Sequence, residues 1–290
     1  MPELPEIEAY LHAVRKRIVG RPLTQLRLMN PFILRSVDPP VAELSGKTCD
    51  AVSRIGKRVV LHFSGDLHAV VHLMVAGRLH WLGPEAKAHK TRTMLLFEFE
   101  HGRLQLTEAG KKRRASLHLV RGKSALSDHD PGGLEVFDCD GERFAERFRK
   151  SNHTLKRNLT DPRIFSGIGG AFADEILLRA RCSPVALSQR IDDDAVQRIY
   201  EASREVLTEW TERLVAEAEE AFPAKVTAFR PEMAVHGKYG DPCPQCGDPV
   251  QRIVYAKRET NYCATCQTGG KVLADRALSR LLGKDWPRTL

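Results

Sequence analysis

Apolar residues recur at Ile7, Leu11, Val14 and Ile18, a spacing of three and four that lays one helix face on a core. Pro5 suits the first turn of that helix, where a missing N–H costs nothing. Glu6 and Glu8 then sit where the helix dipole favours negative charge. From about Thr24 to Val120 the pattern changes. Short runs rich in β-branched and aromatic residues (LRLM, RVVLHF, AVVHLM, TMLLFEF, LQLT, SLHLV) are divided by turn signals such as SGDL and HGRL. No helical periodicity interrupts them, which predicts an antiparallel sandwich or barrel rather than a βαβ fold. Gly56-Lys57, in RIGKRVV, reads as a turn entering a strand.

The passage DHDPGGLEVFD (Asp128–Asp138) is rich in Pro and Gly and reads as a linker. Helices are expected from about Asp140 to Phe222. GERFAERFRK and IYEASREVLTEWTERLVAEAEEAF are amphipathic and made of strong helix formers. Between them, NHTLKRNLTDPRIFSGIGGAFADEILLRA reads as a helix, a turn carrying Gly167, Gly169 and Gly170, and a second helix. Asp174 and Glu175 are expected in the first turn of that second helix. Near the C-terminus, VLADRALSRLLG reads as a short amphipathic helix ended by Gly283, with no role assigned. The expected architecture is α+β and multidomain: an N-terminal helix with an antiparallel β-sandwich (1–127), a linker (128–139), a helical domain (140–235), a cysteine-bearing finger (236–268) and a C-terminal extension (269–290).

At 290 residues, two or three units are the natural expectation, and 42% apolar residues support packed cores. The net charge of +8 favours a polyanionic partner, nucleic acid before a membrane surface. No apolar run approaches the roughly 20 residues that span a bilayer. The N-terminus lacks a basic stretch followed by an apolar one. A cytoplasmic monomer with no membrane partner is expected, associated with the nucleoid if bacterial.

Four of the seven cysteines fall in CPQCGDPVQRIVYAKRETNYCATC, as two C-x2-C pairs: Cys243 with Cys246, and Cys263 with Cys266. Paired thiolates at this spacing fit one structural Zn2+ in a closed tetrahedral site. Disulfides are the alternative, disfavoured in a reducing compartment. Gly247 sits where a knuckle needs positive φ, and IVYAKRETNY suits a two-stranded hairpin. Lys257 and Arg258 on that hairpin either meet phosphates or form a solvated pair of charges. Cys49, Cys139 and Cys182 lack such partners and are expected to be buried. The SGIGG turn either lets its backbone approach a phosphate at a helix N-terminus, with Lys156 and Arg157 adding counter-charge, or packs two helices tightly.

The opening MPELPEIE is explained only in part by a helix start. Pro2-Glu3 is left over, and removal of Met1 would make Pro2 a terminal secondary amine beside an acid. Pro-Glu at the terminus, a β-sandwich, a helix–two-turn–helix and a four-cysteine finger occur in one order. Together with PELPEIE, GIGGAFADEILLRA and HGKYGDPC, that order resembles the formamidopyrimidine-DNA glycosylase/endonuclease VIII family over about residues 1–266. The resemblance implies a bifunctional DNA glycosylase/AP lyase of base excision repair acting on damaged double-stranded DNA. It implies Pro2 as nucleophile, Glu3 as general acid/base, Glu6 as a second acid near the sugar, and Lys57 as a phosphate-contacting lysine that assists proton transfer. It implies DNA binding by Lys156, Gly169, Gly170, Lys238 and Arg258.

The chain departs from the family pattern in four places. Gly170 replaces the asparagine of G-I-G-N, Val75 aligns with a methionine wedge, and TEAGKKRRASLHLV lacks a phenylalanine. The segment from Phe222 to His236 is too short for a loop that covers 8-oxoguanine, so weak excision of that lesion is expected. The rival readings are a non-catalytic lesion-binding paralogue and a zinc-ribbon adaptor for RNA or protein.

Overall fold

The computed structural model describes all residues except Lys111, Lys225, Ala256, Lys257, Pro287 and Leu290, together with the side chains of Tyr255, Arg276, Ala277 and Leu278. The chain divides into two compact units: Met1–Pro131 with Trp210–Thr227, and Gly132–Glu209 with Ala228–Leu290.

In the first unit, helix α1 (Leu4–Ile18) buries Ile7, Leu11, Val14 and Ile18, the predicted stripe. Eight strands follow: β1 (Gln25–Leu28), β2 (Cys49–Ile55), β3 (Arg58–Phe63), β4 (Leu67–His72), β5 (Gly77–Leu82), β6 (Thr93–Phe99), β7 (Gly102–Glu108) and β8 (Ser116–Arg121). They form two antiparallel four-stranded sheets, in the orders β1-β6-β7-β5 and β2-β3-β4-β8. Alternate residues of both sheets share one core: Val59, Leu61 and Phe63 of β3 with Leu95, Phe97 and Phe99 of β6.

The sequence pattern missed β2 and β5. CDAVSRI buries only Cys49 and Val52 fully, and GRLHWL only Gly77 and Leu79, so neither is a continuous apolar run. Each is an edge strand with one neighbour. A six-residue helix, α2 (Gly122–Ser127), also follows β8 where no helix was expected.

The second unit is helical, with a C-terminal finger. Helix α3 (Gly141–Arg149) is capped by Asp140, whose carboxylate accepts the Arg143 N–H at 2.9 Å. It buries Phe144 and Phe148 against Phe165. Helix α4 (Leu155–Thr160) leads through the glycine turn to α5 (Gly170–Arg179). Helix α6 (Asp193–Glu220), which from Trp210 onward belongs to the first unit, starts six residues earlier than the apolar pattern indicated. The finger comprises β9 (Gln251–Tyr255), β10 (Arg258–Tyr262) and a short helix α7 (Ala264–Thr268). Helix α8 (Arg276–Leu282) follows, and Gly283 beyond it adopts φ +52°. No helix among the described residues is long and apolar enough to cross a membrane.

Candidate active site and nucleic-acid interface

The start of α1 is built around two buried carboxylates. Glu3 is the N-cap and Glu6 the third helical residue, and they form a capping box in which Glu6 Oε2 accepts the Glu3 N–H at 2.7 Å. Both side chains are buried, with residue exposures of 5% and 3%. Burial, and then the Glu3 charge, push the Glu6 carboxyl up to about 7. Lys57 sits in the β2–β3 turn, which Gly56 closes at φ +57°. Burial depresses the Lys57 ammonium, while the charges of Glu3 and Glu6 oppose that shift.

The Met1 amine belongs to the same pocket. Its proton affinity falls through burial, is restored in part by Glu3 and Glu6, and is lowered further by Arg78 and Lys57. Pro2, the next residue, is buried. The structure thus gathers four residues singled out in the sequence and adds Arg78, which was missed because β5 was not recognised. Two contacts fix this end of α1: Glu8 Oε1 accepts Arg54 Nε at 2.7 Å, and the Tyr10 hydroxyl oxygen accepts the Leu79 N–H at 3.3 Å.

Two loops of this unit are held in defined shapes. Between β4 and β5, Met74 adopts φ +53° and donates its N–H to His72 Nδ1 at 3.0 Å. Arg78 Nη1 donates to the Val75 carbonyl at 3.0 Å. A Cβ on Gly77 would lie 2.3 Å from the Leu73 carbonyl oxygen, so only glycine fits there. Val75 is left 67% exposed, an apolar side chain at a loop tip. Between β7 and β8, the buried Glu108 carboxylate accepts N–H groups of Arg114 and Ala115. Lys112, Arg113 and Arg114 are exposed there.

In the second unit, the glycine turn opens α5. Gly167 adopts φ +79°, Gly169 is the N-cap and Gly170 the first helical residue. A Cβ on Gly170 would meet nothing within 4 Å, so that position is open. Because the helix begins at Gly170, Asp174 and Glu175 lie in its second turn rather than its first. Their role is internal. Glu175 accepts the N–H groups of Ala234, Val235 and His236 at 2.8–2.9 Å. Asp174 faces His236 Nδ1 at 2.9 Å and Lys156 Nζ at 2.6 Å.

Lys156 also donates to the Glu259 carbonyl at 2.8 Å, which ties α4 to the finger hairpin. Arg157 is exposed. Lys238 lies 3.9 Å from Asp241 and is half-buried. Arg258, the first residue of β10, pairs with Tyr255 and is exposed. Lys257 lies outside the described residues.

The four finger cysteines converge. All their Sγ atoms lie within 4.8 Å of one another. Separations of 3.4 Å (Cys246–Cys263) and 4.0 Å (Cys243–Cys266) bracket the edge of about 3.8 Å expected for a tetrahedron of Zn–S bonds near 2.3 Å. They are far beyond the roughly 2.05 Å of a disulfide. Gly247 provides the knuckle at φ +83°, and the Cys266 N–H points at Cys263 Sγ. The site fits one structural zinc held by Cys243, Cys246, Cys263 and Cys266. Cys49, Cys139 and Cys182 are buried elsewhere.

Comparisons with known proteins agree with this arrangement. The formamidopyrimidine-DNA glycosylase N-terminal domain matches residues 1–117. The formamidopyrimidine-DNA glycosylase H2TH domain matches residues 132–216, and the zinc finger found in FPG and IleRS matches residues 240–269. The formamidopyrimidine-DNA glycosylase of Thermus thermophilus is 33% identical over 283 residues, covering 93% of this chain and all of that protein. The Solibacter usitatus protein of the same name is 30% identical over 278 residues, covering 92% and 99%. Among solved structures, Lactococcus lactis formamidopyrimidine-DNA glycosylase bound non-covalently to DNA containing an AP site superposes with a TM-score of 0.80. It is 25% identical, and the match covers 92% of this chain and 99% of that one. With the zinc ligands and the carboxylate pair in place, this likeness from end to end of its relatives makes the chain a member of the formamidopyrimidine-DNA glycosylase/endonuclease VIII family.

Proposed function

We propose that the chain is a DNA glycosylase of base excision repair that also cuts the strand as an AP lyase, with the amine of Pro2 as nucleophile once Met1 is removed. The observation that carries this reading is the buried Glu3–Glu6 pair beside the amino terminus and Lys57. A terminal amine has a pKa near 8 against about 10.4 for lysine. A larger share of such an amine is therefore neutral near pH 7.

The Pro2 nitrogen donates its electron pair to the sugar C1′ while the C1′–base bond breaks and its electrons leave with the base. The nitrogen then gives up its own N–H proton, and opening of C1′–O4′ yields an iminium, the O4′ taking a proton. Glu3 serves as general acid/base for these transfers. Glu6, whose carboxyl burial and the Glu3 charge push up to about 7, is the second acid near the sugar and accepts the Glu3 backbone N–H. The iminium acidifies C2′–H; loss of that proton expels the 3′ phosphate by β-elimination, and water releases the Pro2 amine. Lys57 contacts a phosphate and, with its depressed ammonium, assists proton transfer.

Reaching C1′ requires the nucleotide to leave the stack. The open N-terminus of α5 at Gly169 and Gly170, with Lys156, Lys238 and Arg258, holds phosphates of the damaged duplex. A monomer working in the cytoplasm suffices for this chemistry. Solved relatives include a Lactococcus lactis complex with Fapy-dG DNA, and ring-opened or oxidised bases are the proposed substrates here. Val75 in place of a methionine wedge, and no phenylalanine between Thr107 and Val120, point away from efficient 8-oxoguanine removal.

A nicking assay over single- and double-stranded oligonucleotides tests this directly. Those would carry an abasic site, a formamidopyrimidine, an oxidised pyrimidine or 8-oxoguanine. Cleavage in duplex is expected for all four, with 8-oxoguanine the most weakly processed. Tight binding without any cleavage would favour the lesion-binding paralogue, which the altered Gly170 and Val75 positions otherwise support.

A further inference from the structure

The matched finger ends at residue 269, yet the chain continues for another folded stretch. Gly269 and Gly270, at φ +61° and +86°, reverse the chain after α7. The extension then closes on itself. Val272 N–H donates to the Arg288 carbonyl at 3.0 Å, and Lys271 bridges Thr289 in antiparallel fashion. Among the described residues, hydrogen bonds reach back from this closed loop to the hairpin. The Asp275 carboxylate, in a residue 2% exposed, accepts the Val254 N–H at 2.7 Å. The Tyr262 hydroxyl oxygen, wholly buried, accepts the Leu273 N–H, also at 2.7 Å.

Val254 pairs with Glu259, and the neighbouring rung pairs Tyr255 with Arg258. Asp275 therefore acts one rung from the hairpin tip. A two-stranded hairpin is marginal by itself, and the outward N–H of its edge strand normally faces water. Here that N–H meets a buried carboxylate, a charge-assisted bond that fixes the strand. A negative charge beside a phosphate-binding hairpin opposes DNA on electrostatics alone, so its benefit must be geometric. We propose that the extension is a clamp on the finger hairpin, and that Asp275 is the positioning residue that sets where Arg258 meets a DNA phosphate. The proposal rests on the assignment of Arg258 to phosphate binding.

The test measures duplex affinity, zinc content and amide exchange for Asp275→Ala, Asp275→Asn, Arg258→Ala and the double variant Asp275→Ala/Arg258→Ala. Asp275→Ala is expected to keep one zinc per chain, to speed exchange at residues 254–259, and to weaken binding about tenfold, within the coupling seen between interacting residues. Asp275→Asn, which keeps an acceptor oxygen, recovers part of that loss and replaces Asp275→Ala if the latter sheds its zinc. In the Arg258→Ala background, Asp275→Ala should change affinity less than about twofold. Tighter or unchanged binding by Asp275→Ala, as charge removal alone predicts, overturns the proposal, as do additive losses in the double variant. Should Arg258→Ala itself bind normally, the phosphate assignment fails instead. Exchange at 254–259 in the free protein then decides the clamp: unchanged exchange in Asp275→Ala rejects it.

Discussion

Replacing Glu6 with Gln should stabilise the protein, and increasingly so as pH rises. The Glu6 carboxyl is carried from an ordinary 4.5 to about 7, first by burial and then by the Glu3 charge. Below pH 4.5 the acid is protonated whether the chain is folded or not, and it costs nothing. Between 4.5 and about 7 the unfolded chain releases the proton while the folded one keeps it, so stability falls as pH rises. Above 7 the full cost is present. At about 1.4 kcal/mol per tenfold change in proton affinity, that cost is of order 3 kcal/mol. Gln has no proton to lose, is nearly isosteric, and its oxygen can still accept the Glu3 N–H.

The advantage of Glu6→Gln over the parent should therefore grow by about 2 kcal/mol between pH 5.5 and 8.5. Urea unfolding of both proteins across that range, with zinc present and tryptophan fluorescence as the signal, measures it through the midpoint at constant m. Titrating groups remote from Glu6 cancel in the difference, while the charges it shares a field with (Glu3, Lys57 and the terminal amine) are part of the effect. The same variant should lose base excision, since a group held at a functional cost commonly trades stability for activity. An advantage that is flat with pH, or a variant less stable than the parent at pH 8.5, would refute the burial argument.

Three further outcomes are expected. Arg258→Ala should weaken binding to damaged and undamaged duplex alike and flatten the log–log salt dependence by about one phosphate contact, near 0.9 in slope; an unchanged slope removes Arg258 from the interface. Gly170→Asn places a side chain into open space at the start of α5, so it should fold normally and bind duplex DNA more tightly in a gel-shift titration. Cys263→Ala should lose the zinc, by metal analysis, and with it duplex binding, because a structural zinc site and its fold form together.

Much of this architecture is legible from local patterns. The stripe Ile7–Leu11–Val14–Ile18 and the two C-x2-C pairs each follow from one physical rule, helix periodicity in one case and ligand spacing in the other. Strands β2 and β5 were not legible, because an edge strand with mixed exposure carries no strong apolar run. The roles of Asp174 and Glu175 were hidden for a different reason. Their charge suggested a helix start, but some sixty residues away Glu175 accepts the 234–236 backbone N–H groups and Asp174 meets the His236 ring. Arg78 joins the amino-terminal pocket only through the fold, and Asp275 meets Val254 across the finger. Pro2 and Glu3 stood out as residues that a helix start left unexplained, and their burial together is what the structure adds.

In the proposed reaction the end of the chain is itself the nucleophile. Incubation with abasic duplex DNA and borohydride should reduce the iminium to a stable cross-link, which peptide mapping should locate at the N-terminus, with Met1 absent by mass spectrometry. Pro2→Gly, which keeps an amine but loses the secondary ring nitrogen, should trap far less, and a retained N-terminal tag should abolish trapping. Protein that has lost Met1, holds its zinc and binds abasic DNA tightly, yet never forms the cross-link, would contradict the account.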